Sequence, residues 1–100
     1  MNYRVVYTDQ FHDALEAQIK YFREEKAPAS RIAAWLENVL DLVDSLDAFP
    51  LQHPVSADES ALRGIELRKI IFGNYLGFYH VDEESKEVYL LGFRHGSRLP

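Results

Sequence analysis

The sequence predicts an α+β fold in which an N-terminal strand and an antiparallel helical hairpin pack on a four-stranded, largely antiparallel sheet, in the order β-α-α-β-β-β. Two observations support this prediction. Apolar residues recur at helical spacing between residues 9 and 50, and β-patterned segments separated by short turns fill residues 64–93. One hundred residues without a repeat or a linker fit a single domain spanning residues 1–100.

The first strand and the first helix follow from local patterns. Tyr3, Val5 and Tyr7 lie at every second position, which predicts a short strand. Thr8 suits the N-cap of a helix over residues 9–24, because its side-chain oxygen can accept from a free backbone N–H. Apolar residues at positions three and four apart give this helix one face toward a core.

The second helix is the most strongly patterned element. It begins near Pro28, where the missing N–H of proline would be unpaired in any case, and it ends at Pro50. Its wide apolar face consists of Ile32, Trp35, Leu36, Val39, Leu40, Leu42, Val43, Leu46 and Phe49. The short connection between the helices predicts an antiparallel hairpin.

Three strands are predicted after the helices. Residues 50–60 are typical of an exposed loop, because proline, serine and acidic residues dominate there. Alternating patterns then predict strands over residues 64–71, 75–81 and 87–93. The Gly73-Asn74 pair favours a tight turn between the first two of these strands.

The composition excludes several classes of protein. With 47% hydrophobic and 27% charged residues, the chain is typical of a globular domain. No apolar run is long enough for a bilayer, and Met1 leads into a strand rather than a secretory signal, so we expect a cytoplasmic protein without a membrane partner. The absence of cysteine excludes disulfides. No metal-ligand spacing or phosphate-binding glycine loop occurs, so we predict no metal and no cofactor.

The charge of the chain is unevenly distributed. Its net charge of -5 argues against tight non-specific binding to nucleic acid. Residues 1–60 carry five Lys/Arg against eleven Asp/Glu, whereas residues 61–100 carry six against five. The second part is therefore the place to expect a local positive site.

Four cationic or titratable residues of the second part are expected to converge. Arg68 lies on the second strand, and Arg94, His95 and Arg98 follow at the end of the chain, so an antiparallel sheet with a folded-back tail would bring them together. Guanidinium groups in such a cluster bind phosphate or carboxylate through forked hydrogen bonds. His95 adds a group whose pKa lies near neutrality and suits general acid–base chemistry.

Each of these residues also has a plainer interpretation. Arg68 can pair with Glu66 or Glu87 as a solvated contact. The C-terminal tail can be a frayed end without a role in binding. His95 can simply cap the last strand. The strand over residues 75–81 places Tyr75 and Tyr79 on one face and Leu76, Phe78 and His80 on the other, so only one set can line a functional surface.

Two stretches near the C-terminus resemble the RelE/ParE superfamily of toxins from bacterial toxin–antitoxin modules. They are Asn-Tyr-Leu-Gly-Phe-Tyr at residues 74–79 and His-Gly-Ser-Arg at residues 95–98. Both look most like the ParE, or plasmid stabilisation, branch. The resemblance implies a RelE/ParE-like fold and a growth-inhibiting toxin.

The superfamily resemblance implies one of two activities. RelE-like members cleave mRNA on the ribosome, and for that activity Arg68, Arg94 and His95 are the candidate catalytic residues. ParE-like members inhibit DNA gyrase by binding it, and for that activity Arg68, Lys69, Arg94, His95 and Arg98 are the candidate target-binding residues. Leu76 stands where RelE-like members commonly carry a basic residue, which favours the ParE-like interpretation.

The resemblance also implies a protein partner. A cognate antitoxin is expected to wrap the toxin with a C-terminal helix and an added strand. Phe22, Trp35 and Val39 on the helices are the candidate antitoxin contacts, although Trp35 by itself is more typical of a core residue. A degenerate member that binds only its antitoxin is a third interpretation, and a larger assembly of toxins and antitoxins fits the same surfaces.

Overall fold

A computed structural model describes residues 2–95, with His95 described by its backbone alone. The elements are β1 Arg4–Tyr7, α1 Asp9–Glu24, α2 Ala29–Asp44, a 3-10 turn Ser45–Asp47, α3 Ala57–Arg63, β2 Arg68–Phe72, β3 Tyr75–Asp82 and β4 Glu87–His95. The strands form one sheet in the order β1-β4-β3-β2, in which β1 is parallel to β4 and the other pairs are antiparallel. The predicted α+β fold is confirmed. No helix among the described residues is long and apolar enough to cross a bilayer.

The start of α1 lies where the sequence predicts it, and Thr8 joins it to the sheet. The Thr8 hydroxyl oxygen accepts a hydrogen bond from the Phe11 backbone N–H over 3.2 Å. The same hydroxyl donates to the carbonyl of Leu90 on β4. One side chain therefore caps the helix and ties its first turn to a central strand.

Helices α1 and α2 cover one face of the sheet, here called the hairpin face. Its buried members on the strands are Ile70, Phe72, Tyr79, Val88 and Leu90, which pack with Phe11, Val39, Val43 and Leu46 of the helical layer. Edge-to-face aromatic contacts extend this core, with ring centroids 5.6 Å apart for Phe11 and Phe93. The ring centroid of Trp35 lies 5.1 Å from that of Phe22 on α1 and 5.6 Å from that of Tyr75 on β3.

A third helix replaces the second half of the predicted loop, so that prediction is wrong for residues 57–60. Ser56 caps α3 by accepting from the Glu59 backbone N–H over 3.4 Å, and Gly64 ends it in the left-handed conformation with φ 74°. The strand predicted over residues 64–71 therefore begins only at Arg68. The Ser60 hydroxyl oxygen accepts from the Leu67 N–H over 2.8 Å and fixes the connection.

Residues 50–56 run along the edge strand β2 and lead to α3. The Pro54 carbonyl accepts from the Lys69 N–H over 3.0 Å, and the Ser56 N–H donates to the Leu67 carbonyl over 2.8 Å. Tyr79 reaches this segment from the core, because its hydroxyl donates to the Pro50 carbonyl over 2.7 Å. The segment thus covers the first half of a sheet edge that would otherwise be open.

Glu87 anchors the parallel pairing of β1 and β4. Arg4 lies opposite Glu87 in this pairing and donates to its carboxylate from Nε over 2.9 Å. The Tyr89 hydroxyl donates to the same carboxylate. The hydrogen bond from Tyr89, followed by that from Arg4, lowers the pKa of Glu87 to about 2.

We expect Glu87 to make the stability of the fold sensitive to acid. Its pKa in the folded protein lies below the ordinary value of 4.5, so it stabilises the fold above that pH and loses this effect as the pH falls toward 2. The difference in urea midpoint between wild type and Glu87→Gln should be largest near neutral pH and should shrink below about pH 4. Glu84→Gln is the matched control, since the Glu84 side chain forms no ion pair or hydrogen bond within residues 2–95. The same pH dependence in both variants would contradict this assignment.

Candidate functional site

The alternation of β3 decides which candidate residues lie on the same side of the sheet. Arg68 pairs with Tyr79, whose side chain lies in the core on the hairpin face. Arg94 pairs with Leu76, which lies three positions before Tyr79 on β3. Arg94 is therefore on the opposite face of the sheet, here called the α3 face. A bulge in β4 leaves Leu91 without a partner on β3 and shifts the strand register between these positions.

Arg68 is held by backbone carbonyls. Its Nη1 donates to the carbonyl of His53 over 2.7 Å and to that of Leu51 over 3.4 Å. Its Nε is buried and has no hydrogen-bond partner among the described residues. The plainer interpretation, a pairing of Arg68 with Glu66 or Glu87, is wrong, because the guanidinium is turned toward residues 50–56. Arg68 therefore fastens that segment to the edge of the sheet.

Arg94 already has an acidic partner. Its guanidinium forms an ion pair with the carboxylate of Glu59 on α3 and lies 5.2 Å from the ring centroid of Phe78. The Glu59 side chain is only 8% exposed, and Arg63 approaches its other oxygen at 4.0 Å. This carboxylate is the buried charged group of the site, and the sequence reasoning did not single it out.

The predicted convergence of Arg68 with Arg94 is wrong. The two side chains project from opposite faces of the sheet, and each is engaged by a different segment of the chain. His95 extends β4 by its backbone, whereas its side chain and all of Arg98 lie outside the described residues. Their predicted roles therefore remain predictions.

Lys69 differs from both arginines. It pairs with Phe78 and so lies on the α3 face, where it lines a cleft of about 230 Å³ with Leu76 and Arg94. Within residues 2–95 its ammonium group forms no ion pair and no hydrogen bond. Two of the predicted target-binding residues, Lys69 and Arg94, are thus brought together, without Arg68.

His53 is the histidine that the fold places in an unusual setting. Its ring lies 6.1 Å from that of Tyr79 in an edge-to-face contact, and its buried Nε2 has no partner in the described part of the chain. Burial lowers the pKa of His53 and raises the pKa of Tyr79. No sequence pattern distinguishes His53 from His12 or His80, because its environment is created by residues far along the chain.

A groove of about 410 Å³ lies between α2 and the end of β2. It is lined by Trp35, Asn38, Val39, Asp41 and Leu42 on the helix and by Ile71, Phe72 and Gly73 at the strand end. The indole Nε1 of Trp35 is buried and lacks a partner among residues 2–95. Gly77 allows the Phe72 ring to pack close to the β3 backbone, because a Cβ at Gly77 would lie 2.5 Å from that ring. The three predicted antitoxin contacts lie together here, since Phe22 packs against Trp35.

One exposed cluster has the residue types of a metal site. His12, Asp13 and Glu16 lie on α1 with candidate ligand atoms within 4.8 Å of one another. The His12 Nδ1 and the Glu16 carboxylate are 3.6 Å apart, as expected for a pair one helical turn apart. All three are exposed, so we interpret the cluster as a solvated helix surface.

Loss of the Arg68 side chain should destabilise the fold. Arg68→Met removes the donor for two carbonyls of residues 51 and 53 and should lower the free energy of unfolding by about 1–3 kcal/mol in urea denaturation. Lys69→Met is the control, because the neighbouring side chain has no partner to lose, and it should change stability by less than about 0.5 kcal/mol. Equal losses in the two variants would show that Arg68 does not hold the segment.

Comparison with known proteins identifies the family. Residues 5–100 match the family model described as the ParE toxin of the type II toxin–antitoxin system parDE. The fold is similar to that in the crystal structure of the toxin–antitoxin complex RelBE2 from Mycobacterium tuberculosis, with a TM-score of 0.61, 21% identity and coverage of 95% of this chain and 99% of that chain. It is similar also to the archaeal RelE-RelB complex from Pyrococcus horikoshii OT3, with a TM-score of 0.63, 20% identity and coverage of 99% and 100%. No curated protein sequence matches the chain. The match over nearly the whole chain, on this fold, shows that the protein belongs to the ParE toxin family of type II toxin–antitoxin systems.

Proposed function

We propose that this toxin acts in the cytoplasm by binding DNA gyrase, and that a cognate antitoxin neutralises it. The observation that carries the proposal is the separation of Arg68 and Arg94 on opposite faces of the sheet. A nuclease needs several cations around one phosphate to stabilise the charge of its transition state. Among the described residues, Nη1 of Arg68 is used by two backbone carbonyls while its Nε is buried, and the charge of Arg94 is offset by Glu59.

Binding to a protein target makes smaller demands on the same surface. Lys69 and Arg94 lie next to apolar Leu76 and Phe78 on the α3 face, which is the mixture of charge and apolar area typical of protein interfaces. The proposed target-binding set therefore keeps Lys69 and Arg94, and extends to His95 and Arg98 at the end of β4. Arg68 contributes indirectly, by holding residues 50–56 against the sheet.

The groove between α2 and β2 is the proposed antitoxin site. Its floor is apolar, which suits the apolar stripe of an amphipathic helix. An oxygen acceptor on that helix would satisfy the buried N–H of Trp35, and a basic residue would pair with Asp41 at the rim. The support comes from Phe22, Trp35 and Val39, which pack beside or line the same groove.

The two toxin activities can be separated with purified components. We expect the protein to inhibit supercoiling by DNA gyrase and to leave the transcript intact in a translating ribosome reaction. An Arg94→Ala, Arg98→Ala double variant should inhibit gyrase about tenfold less, because arginine is enriched among the few interface residues whose truncation costs more than about 1 kcal/mol. Transcript cleavage without gyrase inhibition would support a RelE-like endoribonuclease instead. No gyrase inhibition and no transcript cleavage would indicate a member that only binds its antitoxin.

Antitoxin binding can be tested at the rim of the groove. Asn38→Arg places a bulky cation over the groove and should weaken the complex with the cognate antitoxin by at least about tenfold in a titration. Glu37→Arg is the matched control, since this neighbouring position on α2 is exposed and does not line the groove. In growth assays, the antitoxin should no longer relieve the toxicity of the Asn38→Arg variant. Equal weakening by both variants would place the antitoxin elsewhere.

A further inference from the structure

The cleft on the α3 face is built from two kinds of surface. Leu62, Leu76 and Phe78 supply apolar walls, while Lys69, Arg94 and Glu59 supply charge. The cleft has a volume of about 230 Å³, which is enough for one side chain and its flanking backbone. Leu62 is 79% exposed at its mouth and is therefore available to contact a bound peptide.

Two carboxylates, Asp58 and Glu59, line this cleft with Lys69, but Lys69 forms an ion pair with neither of them. It is half-buried, and its ammonium group forms no ion pair or hydrogen bond with any described residue. A partly desolvated ammonium gains from the approach of an anion more than a fully solvated one does. The cleft is therefore prepared for a negatively charged group beside Lys69.

Glu59 already shows what kind of anion Arg94 accepts. Its carboxylate is 8% exposed and is bound by Arg94, with Arg63 at 4.0 Å. Glu59 belongs to a helix of seven residues, and a helix this short has little stability of its own. The Glu59–Arg94 contact thus ties a marginal helix to the sheet.

We propose that the cleft binds an acidic side chain of the target protein, flanked by an apolar residue, and that Glu59 occupies Arg94 in its absence. The incoming carboxylate pairs with Lys69 and competes with Glu59 for Arg94, while the flanking apolar residue covers Leu62 and Leu76. Glu59 is then an internal competitor that weakens target binding. The identity of the partner rests on the proposed function, whereas the carboxylate preference rests on the cleft alone.

A nucleic-acid backbone fits this cleft poorly. Three cations, Lys69, Arg63 and Arg94, lie in or beside the cleft together with two carboxylates, Asp58 and Glu59, so the local excess is a single positive charge. Phosphate backbones are bound by several uncompensated cations, and each contributes separately to affinity. The apolar walls of the cleft also favour a peptide.

A peptide titration tests the inference without gyrase. The probe is a blocked tetrapeptide that alternates leucine and glutamate, added to ¹⁵N-labelled protein, with inorganic phosphate as the comparison anion. We expect saturable shifts at the amides of Leu62, Lys69, Leu76 and Phe78, and much smaller shifts with phosphate. Lys69→Gln should weaken peptide binding at least about threefold, because it removes a cation that has no ion-pair partner within residues 2–95. No saturable peptide shift, or equal response to phosphate, would overturn the inference.

The competitor role of Glu59 has its own test. Glu59→Gln keeps the shape of the side chain but releases the charge of Arg94, so it should tighten peptide binding about threefold to fivefold. Glu24→Gln is the control, because it makes the same change of charge at an exposed residue of α1 that does not line the cleft. It should leave the affinity for the peptide unchanged. Unchanged or weaker binding by Glu59→Gln would show that Glu59 is only structural. Should Glu59→Gln unfold in a thermal scan, the wild-type and Lys69→Gln titrations still decide the inference.

A gyrase assay then separates the inference from the proposed function. Glu59→Gln should inhibit supercoiling more strongly than wild type by the same factor as in the peptide titration. Tighter peptide binding without any gyrase inhibition, in wild type or variant, would leave the carboxylate site standing and remove gyrase as its partner. Gyrase inhibition that Lys69→Gln and Glu59→Gln do not change would keep the proposed function and remove the cleft from it.

Discussion

The pleat of β3 is the constraint on which the functional arrangement depends. Successive residues of this strand project to opposite faces of the sheet, so partners three positions apart on β3 can never share a face. Arg68 pairs with Tyr79 and Arg94 pairs with Leu76, and this alone separates the two guanidinium groups. The bulge at Leu91 matters for the same reason, because it resets the alternation of β4 and brings Phe93 into the core while Arg94 faces α3.

The sequence predicted those elements whose signals are local and repeated. Helix α1 was predicted with the bounds that the structure shows, because Thr8 marks its start and a regular apolar stripe marks its length. The turn at Gly73 and the two faces of β3 were equally predictable. Helix α3 was not, since seven residues are too few to show periodicity. Its two signals were short ones, Ser56 as an N-cap and Gly64 at the C-terminal end, and the structure shows both residues in these roles.

The candidate site was harder to predict because its partners are distant in sequence and partly backbone. Arg68 donates to the backbone carbonyls of residues 51 and 53, which any residue would carry, so no side chain in the sequence indicates the contact. Glu59 and Arg94 are 35 residues apart, and only the position of α3 against the sheet pairs them. The sequence reasoning grouped Arg68 with Arg94, and only the strand register shows that these two side chains lie on opposite faces of the sheet.

In the proposed arrangement, strand β2 links the two functions of the toxin. Phe72 faces the groove assigned to the antitoxin, while Lys69 faces the cleft assigned to the target. Residues 54–56 cover the start of the β2 edge, but Ile71 beyond them is 61% exposed. An antitoxin helix seated beside α2 and continued by a strand along this open edge would pass directly over Ile71 and reach the mouth of the cleft. Neutralisation would then follow from steric overlap along one strand, and it would need no conformational signal through the core.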